Sequence, residues 1–167
     1  EFAHAWMASK CGDKTAESLG RLTLNPFAHL DPIGSLMILF VGFGWAKPVP
    51  VDGRKLQNPR TDMMKIAAAG PLSNLLLALI AGLSLRFLNN IQLLNDSLIL
   101  IYFTKINISL AIFNLIPVAP LDGSQIFSSY LMKRNPTLAW KIQSYGPQVL
   151  FGLIVFSNLT GFSILWM

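Results

Sequence analysis

Cysteine, histidine and charge are all scarce in this chain of 167 residues. The single cysteine, Cys11, excludes an internal disulfide and leaves the redox compartment unread. Charged residues make up 13% of the chain, against roughly a quarter in soluble domains. A surface so short of charge does not suit a water-soluble globule, and the deficit points to a membrane protein. The chain has no internal repeat, no low-complexity tract and no block resembling a signal peptide. A single domain over residues 1–167 is expected, because neither half has enough helices to bury its polar residues alone.

What the sequence has instead is apolar residues, 53% of the total, gathered in blocks rather than at a helical period. Three blocks, 63–88, 97–118 and 146–167, each approach the ~20 residues that a helix needs to cross the hydrocarbon core. A fourth, "IGSLMILFVGFGW" at 33–45, is too short for that and predicts a re-entrant or tilted segment. The Pro- and charge-rich stretch 47–60 predicts a polar loop. The fold class is therefore an all-α polytopic membrane protein: a helix bundle with one short or re-entrant segment and a polar loop before the long spans.

The net charge of +5 follows the same geometry. Lys47, Arg54, Lys55, Arg60 and Lys65 fall within 46–65, and Lys133, Arg134 and Lys141 fall between the last two blocks. The loop 89–96 has no Lys or Arg. Basic loops stay cytoplasmic, so 46–65 and 131–143 read as inside and 89–96 as outside. The basic surplus is topology, and no nucleic-acid partner is expected.

In such a chain the informative side chains are those that are costly to place in lipid. Asp122 follows a spanning block in "FNLIPVAPLDG". Pro117 and Pro120 interrupt the helix there and Gly123 permits a tight turn. Irregular backbone at membrane depth survives only when buried in protein or lining a wet cavity. Two readings of Asp122 stand: a functional carboxylate in that cavity, or a cap on the helix that follows. Asn114 either contacts a reacting group or satisfies a carbonyl released by Pro117. Asn74, in "AGPLSN", either donates to a developing oxyanion or bonds neighbouring helices together. Lys105 and Asn107 interrupt the block 97–118 without a defined role. Of the two histidines, His29 reads as a loop residue. Glu1 and His4, in the opening "EFAH", share a helix face at i and i+3. With a histidine directly upstream, this stretch would be the H-E-x-x-H zinc motif, in which the glutamate is the general base.

Together "EFAH", "AGPLSN" and "FNLIPVAPLDG" resemble the site-2 protease family of intramembrane zinc metalloproteases. That family pairs an H-E-x-x-H helix with a downstream N-x-x-P-x-x-P-x-D-G segment, often with G-P-x-x-N between them. Here Gly70, Pro71 and Asn74 match the middle element, and Asn114, Pro117, Pro120, Leu121, Asp122 and Gly123 match the downstream one. "RLTLNPFAHLDPIG" and "GFGWAKPVPV" are similar to short bacterial members, so the resemblance spans nearly the whole chain.

The resemblance implies that His4 and Asp122 are zinc ligands, that Glu1 is the catalytic base, and that Asn74 and Asn114 contact the substrate or transition state. It implies a Zn²⁺ cofactor, transmembrane protein substrates cut near the cytoplasmic face, and a multi-pass place in the bilayer of a bacterial inner membrane. It also requires Glu1 and Asp122 to meet, so 33–45 is expected not to make a crossing that separates them. The first ligand histidine is absent. Because the chain also opens without Met, truncation just inside the motif is expected. As written, the chain supplies only two of three ligands and is expected to hold zinc poorly and not to cut. The alternatives are a non-catalytic membrane scaffold that binds helices and a small ion or proton transporter using Asp122 and Lys105.

Overall fold

A computed structural model describes residues 1–41, 44–88 and 94–160. Its helices are α1 (Phe2–Lys10), α2 (Thr15–Ser18), α3 (Pro32–Val41), α4 (Pro59–Leu88), α5 (Leu94–Asn114), α6 (Asp122–Leu131) and α7 (Pro136–Thr160), with 3-10 turns at Pro26–Ala28 and Gly53–Lys55. Among the described residues there is no strand, only an isolated antiparallel bridge between Leu30 and Ala46. The chain packs as two compact units, Glu1–Ala69 and Gly70–Met167.

Local chemistry sets many of the boundaries. Four segments begin at an Asx-Pro pair: Asn25-Pro26, Asp31-Pro32, Asn58-Pro59 and Asn135-Pro136. Proline at the first helical position has no N–H to leave unsatisfied, and the preceding side chain can accept from the first turn. Asn25 accepts from Phe27 N–H at 3.1 Å, Asp31 from Gly34 N–H at 2.8 Å and Asn135 from Leu138 N–H at 3.0 Å. At α4 the bond runs the other way, with Asp62 accepting from Asn58 N–H at 2.8 Å. Gly12 and Gly20, at φ +105° and +68°, follow α1 and α2 and turn the chain through conformations that a side chain disfavours.

In the first unit α1 lies on the start of α4. Ala8, Cys11, Leu56 and Ile66 form the buried cluster, with Met7, Val51 and Met63 against it. The block 33–45 yields a helix of only 10 residues. At 1.5 Å per residue that is about 15 Å, half of a hydrocarbon core. The chain then returns. A Cβ on Gly34 would run into the Trp45 carbonyl, and one on Gly44 would meet the Gly34 carbonyl and the Ile38 side chain. Lys47 N–H donates to the His29 carbonyl at 2.8 Å, beside the Leu30–Ala46 bridge. Segment 30–46 therefore ends next to where it began. Residues 42 and 43 of this block lie outside the described residues.

Helix α4 covers the expected block 63–88. Among the described residues one helix, Pro59–Phe87, is long and apolar enough to cross a membrane, and Leu98–Asn114 of α5 is apolar but shorter. Along α4, Leu72, Leu76, Leu79, Ile80 and Leu83 are exposed while the small Ala67, Ala69, Ala78 and Ala81 are buried. A contiguous row of uncovered large apolar side chains suits lipid rather than water. The last block starts earlier than its apolar composition suggests. Asn135 and Pro136 open α7 ten residues before Gly146, and Pro147 lies inside the helix. The end of that block, 161–167, lies outside the described residues.

In the second unit the chain between α5 and α6 closes a turn over Val118 to Leu121. The Ala119–Pro120 peptide is cis, and Leu121 N–H donates to the Val118 carbonyl at 3.0 Å. Helix α6 then runs back against α7, and Asp122 stands at its first position.

Candidate metal centre

His4 sits half-buried on α1 with Nδ1 2.8 Å from the Ile66 carbonyl oxygen. A carbonyl can only accept, so Nδ1 donates this bond, and Nε2 is the ring nitrogen that a metal would take. A metal-binding histidine is commonly held in this way, with one ring nitrogen tied to a carbonyl and the other directed to the metal. Glu1 precedes α1 and is exposed, and its Oε2 accepts from Val49 N–H at 3.2 Å. The expected pair thus shares one helix start, and each side chain is oriented by backbone from a distant part of the first unit.

The backbone beside Glu1 belongs to an extended strap, 47–52. Two buried charged residues that sequence reasoning passed over grip it. Arg21 Nη2 donates to the Lys47 carbonyl at 2.6 Å and to that of Pro48 at 3.4 Å. Asp13 Oδ2 accepts from Asp52 N–H at 2.7 Å, and its Oδ1 accepts from the Thr15 amide at 2.9 Å and from the Thr15 hydroxyl. Burial by itself raises the Asp13 pKa. The Thr15 hydroxyl, the Asp52 and Thr15 amides and the charge of Lys55 outweigh it and hold the group below the usual carboxylate value. On the surface, hydrogen bonds from Arg54 lower Asp52 to about 2.

Asp122 opens α6. The N-cap position is Leu121, so Asp122 is the first residue of the helix. The placement of Asp122 is tight. A Cβ on Gly123 would collide with the carbonyls of Leu115 and Ile116, and one on Gly146 of α7 would meet the backbone of Ala119. Gln143 of α7 donates to the Ser128 hydroxyl at 2.8 Å and to the Ser124 carbonyl at 3.3 Å, fastening α6 to α7. Asn114 is half-buried as the last residue of α5, at the other end of the turn that leads to Asp122. Asn74 is half-buried on α4, three residues after the interior Pro71.

His29 Nε2 donates to the Thr23 carbonyl at 2.9 Å, so this histidine braces its own loop. Asn107 is buried and donates to the Phe103 carbonyl of its own helix at 2.8 Å, while Lys105 is exposed. Glu1 and His4 lie in the first unit, and Asn74, Asn114 and Asp122 in the second. Among the described residues no three His, Cys, Asp or Glu side chains form a ready metal-ligand group.

A model of the family described as "Peptidase family M50" matches residues 96–157, which hold Asn114, Asp122, Gln143 and Gly146. The chain is also 39% identical to "Putative zinc metalloprotease YwhC" of Bacillus subtilis, over 99% of the chain and 78% of that protein. The chain belongs to peptidase family M50. A second relative is "Putative zinc metalloprotease Rip2" of Mycolicibacterium smegmatis, 31% identical over 93% of the chain and 61% of that protein. No solved structure matches the chain. Family M50 is the site-2 protease family that the three motifs resemble, and the expectation of a zinc metallopeptidase is borne out.

Proposed function

We propose that residues 1–167 form one membrane-embedded core of an intramembrane zinc metalloprotease, which hydrolyses peptide bonds of transmembrane substrates near the cytoplasmic face of a bacterial inner membrane. Membership of family M50 supports the chemistry, and the uncovered apolar row on α4 supports the bilayer. The observation that supports the reading is the His4–Ile66 bond, in which a ring nitrogen is tied to a backbone carbonyl as it commonly is in a metal-binding histidine.

In this reading His4 Nε2 and the Asp122 carboxylate are this chain's two ligands to zinc, a nitrogen and an oxygen donor of the kind zinc takes. Bound there, zinc supplies Lewis acidity that polarises the scissile carbonyl and acidifies water. Glu1 takes a proton from the attacking water and passes it to the departing amine. The amides of Asn74 and Asn114 hold the substrate backbone or its developing oxyanion. The returning segment 30–46 dips into the membrane as a re-entrant loop and does not cross it.

The deciding measurement is zinc content per chain in the full-length protein, with Asp122→Ala beside the wild type. About one zinc in the wild type and a loss of at least tenfold in affinity in the variant is the expected result, since ligand removal exceeds the 10–100-fold cost of losing an outer-shell partner. No zinc in either protein would overturn the reading and favour a non-catalytic, helix-binding scaffold.

A further inference from the structure

Among the described residues, Asp13, Arg21 and Asp62 are the charged side chains buried in the first unit outside the proposed chemistry, and the first two turn to the same strap. Asp13 is fully buried and Arg21 is 7% exposed. A buried charge is costly unless it is hydrogen-bonded. Arg21 places a guanidinium nitrogen on two successive carbonyls, Lys47 and Pro48, at one end of 47–52. Asp13 holds the Asp52 N–H at the other end. Between these anchors, Pro48 and Pro50 have no N–H, so Val49 supplies the donor of the run 48–50. That donor is the one that meets Glu1 Oε2.

We propose that Arg21 and Asp13 are positioning residues that act through the strap to aim the Val49 N–H at Glu1 and so orient its carboxylate. The inference rests on the reading of Glu1 as the catalytic base. The strap is stretched between two charge-assisted anchors, so the donor keeps its direction without help from a flexible side chain. One nitrogen of the planar guanidinium, Nη2, serves both carbonyls, whereas a lysine ammonium supplies the charge without the guanidinium's fixed plane. Misplacing a general base by about 1 Å can cost on the order of a hundredfold in rate. The strap therefore controls turnover, although neither anchor touches substrate or metal.

The test compares Arg21→Gln, Arg21→Lys and Val49→Pro with the wild-type full-length protein. Three quantities are read: kcat and KM on a transmembrane peptide substrate, zinc per chain, and hydrogen exchange at the Val49 amide. For Arg21→Gln the expected result is a kcat about tenfold lower or more, KM within about twofold and zinc unchanged. Exchange at Val49 should quicken, and Arg21→Lys should recover part of both effects. Val49→Pro removes the donor, while also fixing φ at 49, and should reproduce the kcat loss even if Arg21→Gln fails to fold. Wild-type kcat with Val49→Pro, or unchanged exchange at Val49 in Arg21→Gln, would overturn the inference. A wild type that holds no zinc and cuts nothing would instead overturn the protease reading, while exchange at Val49 still tests the clamp.

Discussion

At the scale of single residues, hydrogen bonding separates side chains that look equivalent on paper. His4 and His29 both stand near apolar sequence, yet each is tied to a carbonyl through a different nitrogen. Asp13 and Asp52 are two acidic residues in polar loops, and only Asp13 is buried and bonded from several sides. Because its pKa is lowered in the folded chain, the Asp13 carboxylate stabilises the fold above its unfolded pKa of about 4, and that contribution is lost as pH falls below it. Asp13→Asn should cost about 1–3 kcal/mol at neutral pH and flatten the acid limb of thermal stability. Melting in detergent between pH 7 and pH 3 checks both, and a variant whose acid limb matches the wild type would contradict this account. The Glu1–His4 spacing was legible in the sequence. Arg21 was not, since a guanidinium in "GRLTL" reads as solvated until the strap is folded over it.

At the scale of elements, two glycines decide where Asp122 stands. Gly123 lets α6 start under the Leu115 and Ile116 carbonyls, and Gly146 lets α7 lie against Ala119. Gly146→Val forces branched bulk onto backbone that cannot move aside, an overpacking of about 1–3 kcal/mol. It should cut zinc affinity or turnover at least tenfold while leaving helix content intact by circular dichroism. Gly152→Ala, on the same helix with nothing within 4 Å of the added carbon, is the control and should behave as wild type. Equal behaviour of the two variants would show that the α7 contact does not set the Asp122 position. The Asx-Pro pairs at the helix starts are features that sequence reasoning passed over, whereas the shortness of block 33–45 foretold the short helix there, of 10 residues. The closeness of Gly34 to Trp45 was not readable, because eleven residues of sequence separation say nothing about a return.

At the scale of the whole molecule, charge placement makes the testable statement. The loop 89–96 should face the outside and 131–143 the cytoplasm. With Cys11→Ala as background, Asn95→Cys should react with an impermeant maleimide in intact cells, whereas Lys133→Cys should react only after permeabilisation. The reverse pattern would invert the topology and move the proposed cleavage to the other face.

Composition and order of motifs were enough to determine the helical class and the family. Apolar length, loop charge and the spacing of "EFAH", "AGPLSN" and "FNLIPVAPLDG" are properties of the chain itself. Only the tertiary structure decided the His4 hydrogen bond, the clamp of Arg21 and Asp13 on 47–52, and the seating of α6 beneath the Leu115 carbonyl. These depend on contacts between residues as far apart as His4 and Ile66, which no local pattern of the chain encodes.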